Sequence, residues 1–310
     1  MSNASLKKIE SDECKIWPDE VSEICYPCKA DNTDQPAFYY SSGNQGRPLL
    51  VGLHTWSCHY TQVSSPYAQW CIDNDWVFIY PEFRGPNLTP QGCGSELAIE
   101  DIVSAVEYAC KKEGCDRSRI YLSGVSGGGH MALMIAGRHP EIWAGITAWC
   151  GISNVAKWYY ETKKAQLVYS QHIEKVCGGE PLDGSARKAD CLKRSPVTYL
   201  HDASDVKLDI NAGIHDGHTG SVPISQSIDA FNILADPEDM ITQTQKDFFV
   251  QNQRVPEELS CKIDDSLYGE KIVLFRRESK NVRLTIFEGK HEIIYPAALN
   301  FLSNQTKSIR

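Results

Sequence analysis

Residues 124–128 contain a serine whose neighbours could make it a nucleophile. They read Gly-Val-Ser-Gly-Gly, a G-x-S-x-G pattern. In this pattern the serine sits on a sharp turn between a strand and a helix, and small flanking residues let the backbone pass close by. The N–H of the next residue, Gly127, then lies at a helix N-terminus, where it can stabilise an oxyanion. The pattern therefore predicts Ser126 as the nucleophile of an acyl-transfer reaction.

A nucleophilic serine needs a general base, and His291 is the candidate. It follows the last predicted strand, where a loop could hold an imidazole over the carboxyl edge of a sheet. His54 and His59 precede the serine in the chain, and His130 lies on the helix after it. Those positions suit packing or binding better than proton abstraction, so we predict His291 as the base.

Asp216 is the carboxylate placed to orient that imidazole. It follows the predicted strand 208–212 in the turn 215–218, which reads His-Asp-Gly-His. The next carboxylate downstream, Asp229, lies well inside a helical pattern. The two histidines and the aspartate of the turn could instead bind zinc, but a local cluster in a turn is more often hydrogen-bonded structure. We predict Asp216 as the acid and no metal.

A second oxyanion donor is expected from the loop 54–57, which follows an early strand. We predict the backbone N–H of Trp56, with Thr55 as the neighbouring alternative. The Trp56 side chain could be a core aromatic at the same time, because a backbone donor leaves the side chain free. The indole is also a candidate for contact with the substrate.

The remaining pattern predicts the elements that position these residues. From about residue 36, short β-rich runs alternate with longer helical patterns, which is typical of βα units on a mostly parallel sheet. Ser95 is the predicted cap of a long helix that Gly114 ends. The predicted strands cover residues 37–40, 49–53, 76–80, 119–123, 146–150, 208–212 and 282–286.

We predict one α/β domain over residues 13–310, with helices on both faces of the central sheet. Residues 1–12 are set apart as a tail, because Ser-Asn-Ala after the first methionine resembles a cloning scar. Two stretches, at about 153–200 and 234–276, interrupt the alternation. Long insertions in compact domains are usually lids or substrate loops, although plain surface loops are the alternative.

The first insertion carries aromatic residues that could contact a substrate. Trp158 and Tyr159, followed by Tyr160, could stack on a sugar or an aromatic ring. Aromatic residues in a lid can equally form its own small core. We predict Trp158 and Tyr159 as substrate-binding residues, which favours a carbohydrate-linked ester.

Composition excludes several other classes of function. The chain has 310 residues, of which 42% are hydrophobic and 23% charged, as in globular proteins. A formal net charge of -9 argues against a nucleic-acid partner, because phosphate binding requires clustered Lys and Arg. No apolar run approaches the roughly eighteen residues that a membrane span needs. We expect a soluble protein, either cytoplasmic or secreted with a signal peptide that this sequence lacks.

The cysteines, 12 in number, leave the redox state open. Cys110 and Cys115 flank a helix end, and Cys177 and Cys191 flank a glycine-containing loop, so either pair could form a disulfide. Cys150 ends an apolar strand pattern, where a free cysteine behaves as a small hydrophobe. We predict reduced, buried thiols rather than a disulfide framework.

Together these motifs resemble the catalytic domain of the prolyl oligopeptidase family and its esterase-like relatives within the α/β-hydrolases. The resemblance covers about residues 35–305. It implies an α/β-hydrolase fold and a triad of Ser126, Asp216 and His291, with no metal and no organic cofactor. The matching segments are Leu-His-Thr-Trp at 53–56, Phe-Arg-Gly at 83–85, residues 119–128, Ser-Pro at 195–196, Val-Pro at 222–223 and Glu-Gly-Lys-His-Glu at 288–292.

Two departures from the family shape the expected function. The slot in which the family usually carries its acid holds Thr219, so Asp216 would be a displaced acid. The chain also lacks the large β-propeller of the family's oligopeptidases, which favours an esterase. We expect a carboxylesterase, such as a carbohydrate acetyl or feruloyl esterase. The alternatives are a serine peptidase of the same family and a catalytically inactive binding protein.

Overall fold

A computed structural model describes residues 16–308, so the predicted tail, residues 1–12, lies outside the described part of the chain. A nine-stranded sheet runs through the described residues, with the strand order β1-β2-β4-β3-β5-β6-β7-β9-β8. The strands are β1 (Ser22–Pro27), β2 (Asp34–Tyr40), β3 (Leu49–Leu53), β4 (Val77–Pro81), β5 (Ile120–Val125), β6 (Gly145–Trp149), β7 (Lys207–Gly213), β8 (Val273–Ser279) and β9 (Val282–Phe287).

The sheet is mostly parallel, as predicted. The central strands β4, β3, β5, β6, β7 and β9 pair in parallel along this order. Among the described strands, the antiparallel pairs lie towards the edges, between β1 and β2, β2 and β4, and β8 and β9. The predicted α/β class is therefore confirmed.

Successive residues of the central strands point to opposite sides of the sheet. Both faces are therefore apolar, and helices cover each of them. Leu49 and Val51 of β3 belong to one core cluster, and Leu50 between them belongs to another. The first cluster includes residues of α2, α3 and α7, and the second includes residues of α1 and α9. The helices are α1 (Ser65–Asn74), α2 (Glu96–Glu113), α3 (Gly127–Arg138), α4 (Val155–Lys164), α5 (Tyr169–Cys177), α6 (Ala186–Lys193), α7 (Ser225–Leu234), α8 (Gln243–Asn252) and α9 (Tyr295–Ser303).

Helix α2 shows how local sequence sets the boundaries of an element. The Ser95 side chain accepts a hydrogen bond from the Ala98 N–H at 3.1 Å, which satisfies one of the unpaired donors of the first turn. Gly114 ends the helix with φ 60°, a left-handed conformation that glycine adopts without steric cost. Both ends lie where the sequence predicts them.

The first insertion forms a cap of three short helices, α4, α5 and α6, with a small core of its own. Trp56 from the loop after β3 and Val222 from the segment before α7 also belong to this core. The buried apolar residues that the cap helices contribute are Val155, Ala156, Trp158, Tyr159, Ile173, Val176, Cys177 and Cys191.

The second insertion contains a strand that the sequence pattern does not reveal. Residues 234–276 include α8 and the first part of β8, which pairs with β9 at the sheet edge. Arg276, Arg277 and Glu278 of β8 carry charges and are only partly buried or exposed, so the strand lacks a clear apolar alternation. Within residues 16–308, no helix is long and apolar enough to cross a bilayer.

Candidate active site

Three loops at one edge of the sheet carry the predicted triad. Ser126 follows β5, Asp216 comes soon after β7, and His291 comes soon after β9. These strands run parallel, with β6 between β5 and β7. Their carboxyl ends therefore lie along the same edge, which is where open α/β sheets bind ligands.

Ser126 sits on the turn that the G-x-S-x-G pattern predicts. It lies between β5 and α3 and has φ 59° and ψ -118°, a strained conformation for a residue other than glycine. Its N–H donates to the Trp149 carbonyl at 2.8 Å, and its own carbonyl accepts from the His130 N–H at 2.8 Å. Backbone hydrogen bonds on both sides therefore hold the serine in this turn. Its residual exposure of 9% leaves it a small opening to solvent.

The two predicted oxyanion donors lie against each other. A Cβ added at Gly127 would overlap the backbone nitrogen of Trp56, so the two chain segments touch directly. The Thr55 N–H donates to Gln62 Oε1 at 2.8 Å, and the Trp56 carbonyl accepts from the Asn87 N–H at 2.8 Å. Because Thr55 is engaged by Gln62, the geometry favours Trp56 over Thr55 as the second donor.

Asp216 and His291 form a direct hydrogen bond, with Asp216 Oδ2 and His291 Nδ1 2.7 Å apart. The carboxylate is buried, with 1% of its surface exposed. Its other oxygen, Oδ1, accepts from the N–H groups of Gly217 at 2.9 Å and Val222 at 3.1 Å. Backbone donors therefore fix the orientation of Asp216, and Asp216 in turn fixes the ring of His291.

Other histidines near the site are poor candidates for a base. His54 and His130 are fully buried, and this burial lowers the pKa of His54 to about 3 and that of His130 to about 4. Because a base must accept a proton near neutral pH, neither ring suits that role. His54 stacks on Phe83, with ring centroids 3.8 Å apart, so its role is packing.

The turn 215–218 does not gather its side chains around a common point. Nδ1 of His215 lies 2.8 Å from Gln253 Oε1, and its Nε2 lies 2.6 Å from Glu288 Oε1. Nε2 of His218 lies 2.6 Å from the Val250 carbonyl, at the end of α8. The two histidines anchor neighbouring segments while the aspartate faces His291, so the structure does not support the alternative of a zinc site in this turn.

Cys150 is a member of this site that the sequence analysis treats as a core residue. Its Sγ lies 3.6 Å from the Glu292 carbonyl, on the loop that holds His291. The described residues contain a single cluster of potential metal ligands, formed by Cys150, Asp216 and His291. Burial raises the pKa of the Cys150 thiol well above its usual value, which keeps it a neutral thiol beside the Asp216–His291 pair.

Gly220 also belongs to the site, and sequence reasoning does not identify it. A Cβ at this position would overlap Asp216 Oδ1 and would lie 2.7 Å from His291 Cβ. The residue therefore allows the loop 217–222 to close over the carboxylate–imidazole pair. A lone glycine in a loop has no spacing signal that could reveal this contact.

Replacing Gly220 with alanine is expected to lower kcat by about 10²-fold, because displacing a catalytic group by about 1 Å has that effect. The melting temperature should change by only a few degrees. Gly145→Ala is the matched control, since its methyl would meet the flexible Gln305 side chain at 3.0 Å. Steady-state kinetics of both variants check this prediction, and a kcat of the Gly220 variant equal to that of the control would contradict it.

The predicted substrate-binding aromatics lie in the interior of the protein. Trp56, Trp158 and Tyr159 have exposures of 2%, 1% and 0%. The Trp56 and Trp158 rings meet edge to face at 4.7 Å, and Trp158 Nε1 donates to the Ser221 carbonyl at 2.8 Å. Tyr159 donates its hydroxyl to Glu174 at 2.6 Å. Other protein groups cover these side chains. Their stacking on a substrate therefore stays a prediction that this packing does not support.

Comparisons with known proteins agree with this architecture. Feruloyl esterase B of Thermothelomyces thermophilus is 28% identical over 117 residues, which are 34% of this chain and 40% of that protein. Acetylxylan esterase A of Emericella nidulans is 27% identical over 139 residues, which are 39% of this chain and 44% of that protein. Each match thus spans less than half of the curated relative.

A solved acylaminoacyl peptidase, in complex with Z-Gly-Gly-Phe-chloromethyl ketone, has the same fold. It superimposes with a TM-score of 0.65 over 94% of this chain and 42% of that protein, at 16% identity. The predicted α/β-hydrolase fold is therefore confirmed. The sequence model of the prolyl oligopeptidase family matches residues 62–254, which is more than half of the chain. This chain therefore belongs to the prolyl oligopeptidase family.

Proposed function

We propose that this hydrolase is a serine carboxylesterase that acts on carbohydrate-linked acetyl or feruloyl esters. The observation that carries the proposal is the arrangement at the carboxyl edge of the sheet. Ser126 occupies a strained turn, Gly127 touches the Trp56 backbone nitrogen, and nearby loops hold Asp216 and His291 in a 2.7 Å hydrogen bond. These are the parts that acyl transfer through a serine requires.

In the proposed mechanism, Ser126 Oγ attacks the ester carbonyl while His291 Nε2 takes the hydroxyl proton. Asp216 accepts from His291 Nδ1, which keeps the ring in the tautomer whose Nε2 can accept a proton. The N–H groups of Gly127 and Trp56 stabilise the oxyanion of the tetrahedral intermediate. His291 then protonates the leaving alcohol. In the second half of the reaction, His291 takes a proton from water, which attacks the acyl-enzyme, and returns that proton to Ser126 as the acid leaves.

The relatives support the choice of an ester. Those named above are a feruloyl esterase and an acetylxylan esterase, so both names specify an ester bond and the second specifies an acetylated polysaccharide. Both activities cleave a small acyl group from an oxygen, and neither requires a site for a peptide terminus. The partial coverage of both matches makes the substrate class a proposal.

Peptide hydrolysis is the second candidate function. Membership of the prolyl oligopeptidase family and the fold shared with an acylaminoacyl peptidase favour it. The catalytic steps would be the same, with an amine as the leaving group. Only the choice of substrate separates the two functions, so the test must include both kinds of bond.

The test compares hydrolysis of p-nitrophenyl acetate, acetylated xylan, a feruloylated oligosaccharide and a prolyl p-nitroanilide, with Ser126→Ala as the blank. We expect turnover of the esters and a higher kcat/KM for at least one carbohydrate-linked ester than for the aryl acetate. Turnover of the anilide with negligible ester hydrolysis would show that the protein is a peptidase and not an esterase. A preference for the aryl acetate over both glycans would overturn the proposed substrate class.

A further inference from the structure

Two cysteines of the cap face each other across a loop. Cys177 is the last residue of α5 and Cys191 lies in α6, with residues 178–185 connecting the two helices. Their Sγ atoms are 2.9 Å apart. A disulfide bond is about 2.05 Å long, so the sulfurs would have to approach by less than about 1 Å.

We propose that Cys177 and Cys191 are a redox-responsive pair, which closes into an intramolecular disulfide when it reacts with a small-molecule disulfide such as oxidised glutathione. In the first step the thiolate of one cysteine attacks a sulfur of the oxidant and releases one reduced glutathione. The second thiolate then attacks the mixed disulfide and releases the other. The protein loses two thiol protons and two electrons, and both electrons go to the oxidant, which becomes two thiols.

Contact between the sulfurs separates this pair from single buried cysteines. Cys150, for example, is buried beside backbone carbonyls and has no sulfur among its contacts. Cys93 lies in the same cap core, but the hydrogen-bonded sulfurs are those of Cys177 and Cys191. Among the three cysteines of this core, Cys177 and Cys191 therefore require the smallest movement to form a disulfide.

The chemistry of the pair favours exchange. The hydrogen bond between the thiols lowers the pKa of Cys191, whereas the same hydrogen bond and burial raise the pKa of Cys177, so Cys191 is the thiol that attacks first. Cys191 has no exposed surface, whereas Cys177 keeps 8% at the start of the connecting loop. Local opening of residues 178–185 is therefore the route by which the oxidant reaches the sulfurs.

The bond would cross-link two helices of the cap, which packs against Trp56 in the loop 54–57. α5 and α6 help to enclose Trp158, which packs on Trp56 beside the predicted oxyanion donors. Cross-linking reduces the number of conformations available to the unfolded cap, so the oxidised protein should be more stable. We expect a melting temperature about 5 °C higher in the oxidised state.

Mass spectrometry of the native full-length chain tests the pair without any substrate, so it is independent of the proposed function. The protein is reduced, incubated with either oxidised or reduced glutathione, quenched, alkylated in denaturant and digested with trypsin. Cleavage after Lys175, Arg187, Lys188 and Lys193 puts the two cysteines on separate peptides, residues 176–187 and 189–193. We expect these peptides to be disulfide-linked after oxidation and alkylated after reduction.

Cys150, on the tryptic peptide 139–157, is the internal control and should be alkylated in both samples. The double variant Cys177→Ser/Cys191→Ser should melt at the same temperature in both buffers. The proposal is overturned if both cysteines are alkylated as fully as Cys150 after oxidation. It is equally overturned if either one is found linked to Cys93 or to glutathione, or if the wild type shows no thermal shift.

Discussion

Replacing Ser126 with alanine is expected to lower kcat for ester hydrolysis by about 10⁶-fold, the loss that follows removal of a serine nucleophile. The reason is the position of the side chain. It projects from a turn with φ 59° that backbone hydrogen bonds hold on both sides, and the Gly127 N–H directly follows it. An alanine keeps the turn but leaves nothing to attack the carbonyl. Active-site burst and steady-state assays with p-nitrophenyl acetate measure the loss.

Ser123→Ala is the matched control for this variant. Ser123 lies on β5, the strand that precedes Ser126, is fully buried, and shares hydrogen bonds of 2.8 Å with Tyr67 and Thr147. Its loss should cost about 1 kcal/mol of stability and leave kcat nearly unchanged. Ester hydrolysis that survives Ser126→Ala, measured against the Ser123 control, would exclude Ser126 as the nucleophile.

Asp216→Asn is expected to lower kcat by about 10⁴-fold with little change in the fold. Two backbone N–H groups, those of Gly217 and Val222, donate to Oδ1, so the amide oxygen of the asparagine must take that position. The amide nitrogen then faces His291 Nδ1 and can only donate to it. This forces the imidazole into the tautomer with a protonated Nε2, which cannot accept the proton of Ser126.

Asp229→Asn controls for the loss of a partly buried carboxylate near the cap. Asp229 is the next acid downstream and pairs with Lys157 at 2.7 Å and with Lys246 at 2.5 Å. We expect its kcat to stay within a few-fold of the wild type, measured under the same conditions. If Asp229→Asn rather than Asp216→Asn removed activity, the acid would have to be reassigned.

Local sequence predicts much of this site because its parts are set by short segments. The turn at Ser126 depends on glycines within two residues of it, and the first turn of α2 depends on the side chain of Ser95. The alternation of apolar runs and helical patterns is enough to place Ser126, Asp216 and His291 after parallel strands. Their common edge then follows from the topology of a parallel sheet.

Other parts depend on contacts between distant segments, which no local pattern records. Gly220 meets His291 only when two loops fold together, and Cys150 meets the His291 loop in the same way. The aromatic residues of the cap look like a binding surface in the sequence, yet Trp158 packs against Trp56 from a different loop. Strand β8 escapes detection because its charged residues lie at an edge.

Labelling with a fluorophosphonate tests the central claim most directly, because this reagent phosphonylates an activated serine. Trypsin releases Ser126 on residues 120–138, a peptide that also contains Ser123, so fragmentation must assign the adduct. We predict one stoichiometric adduct on Ser126, lost in Ser126→Ala and strongly slowed in Asp216→Asn. An adduct on another serine, or no adduct on the folded wild-type protein, would contradict the account of Ser126 as a catalytic nucleophile.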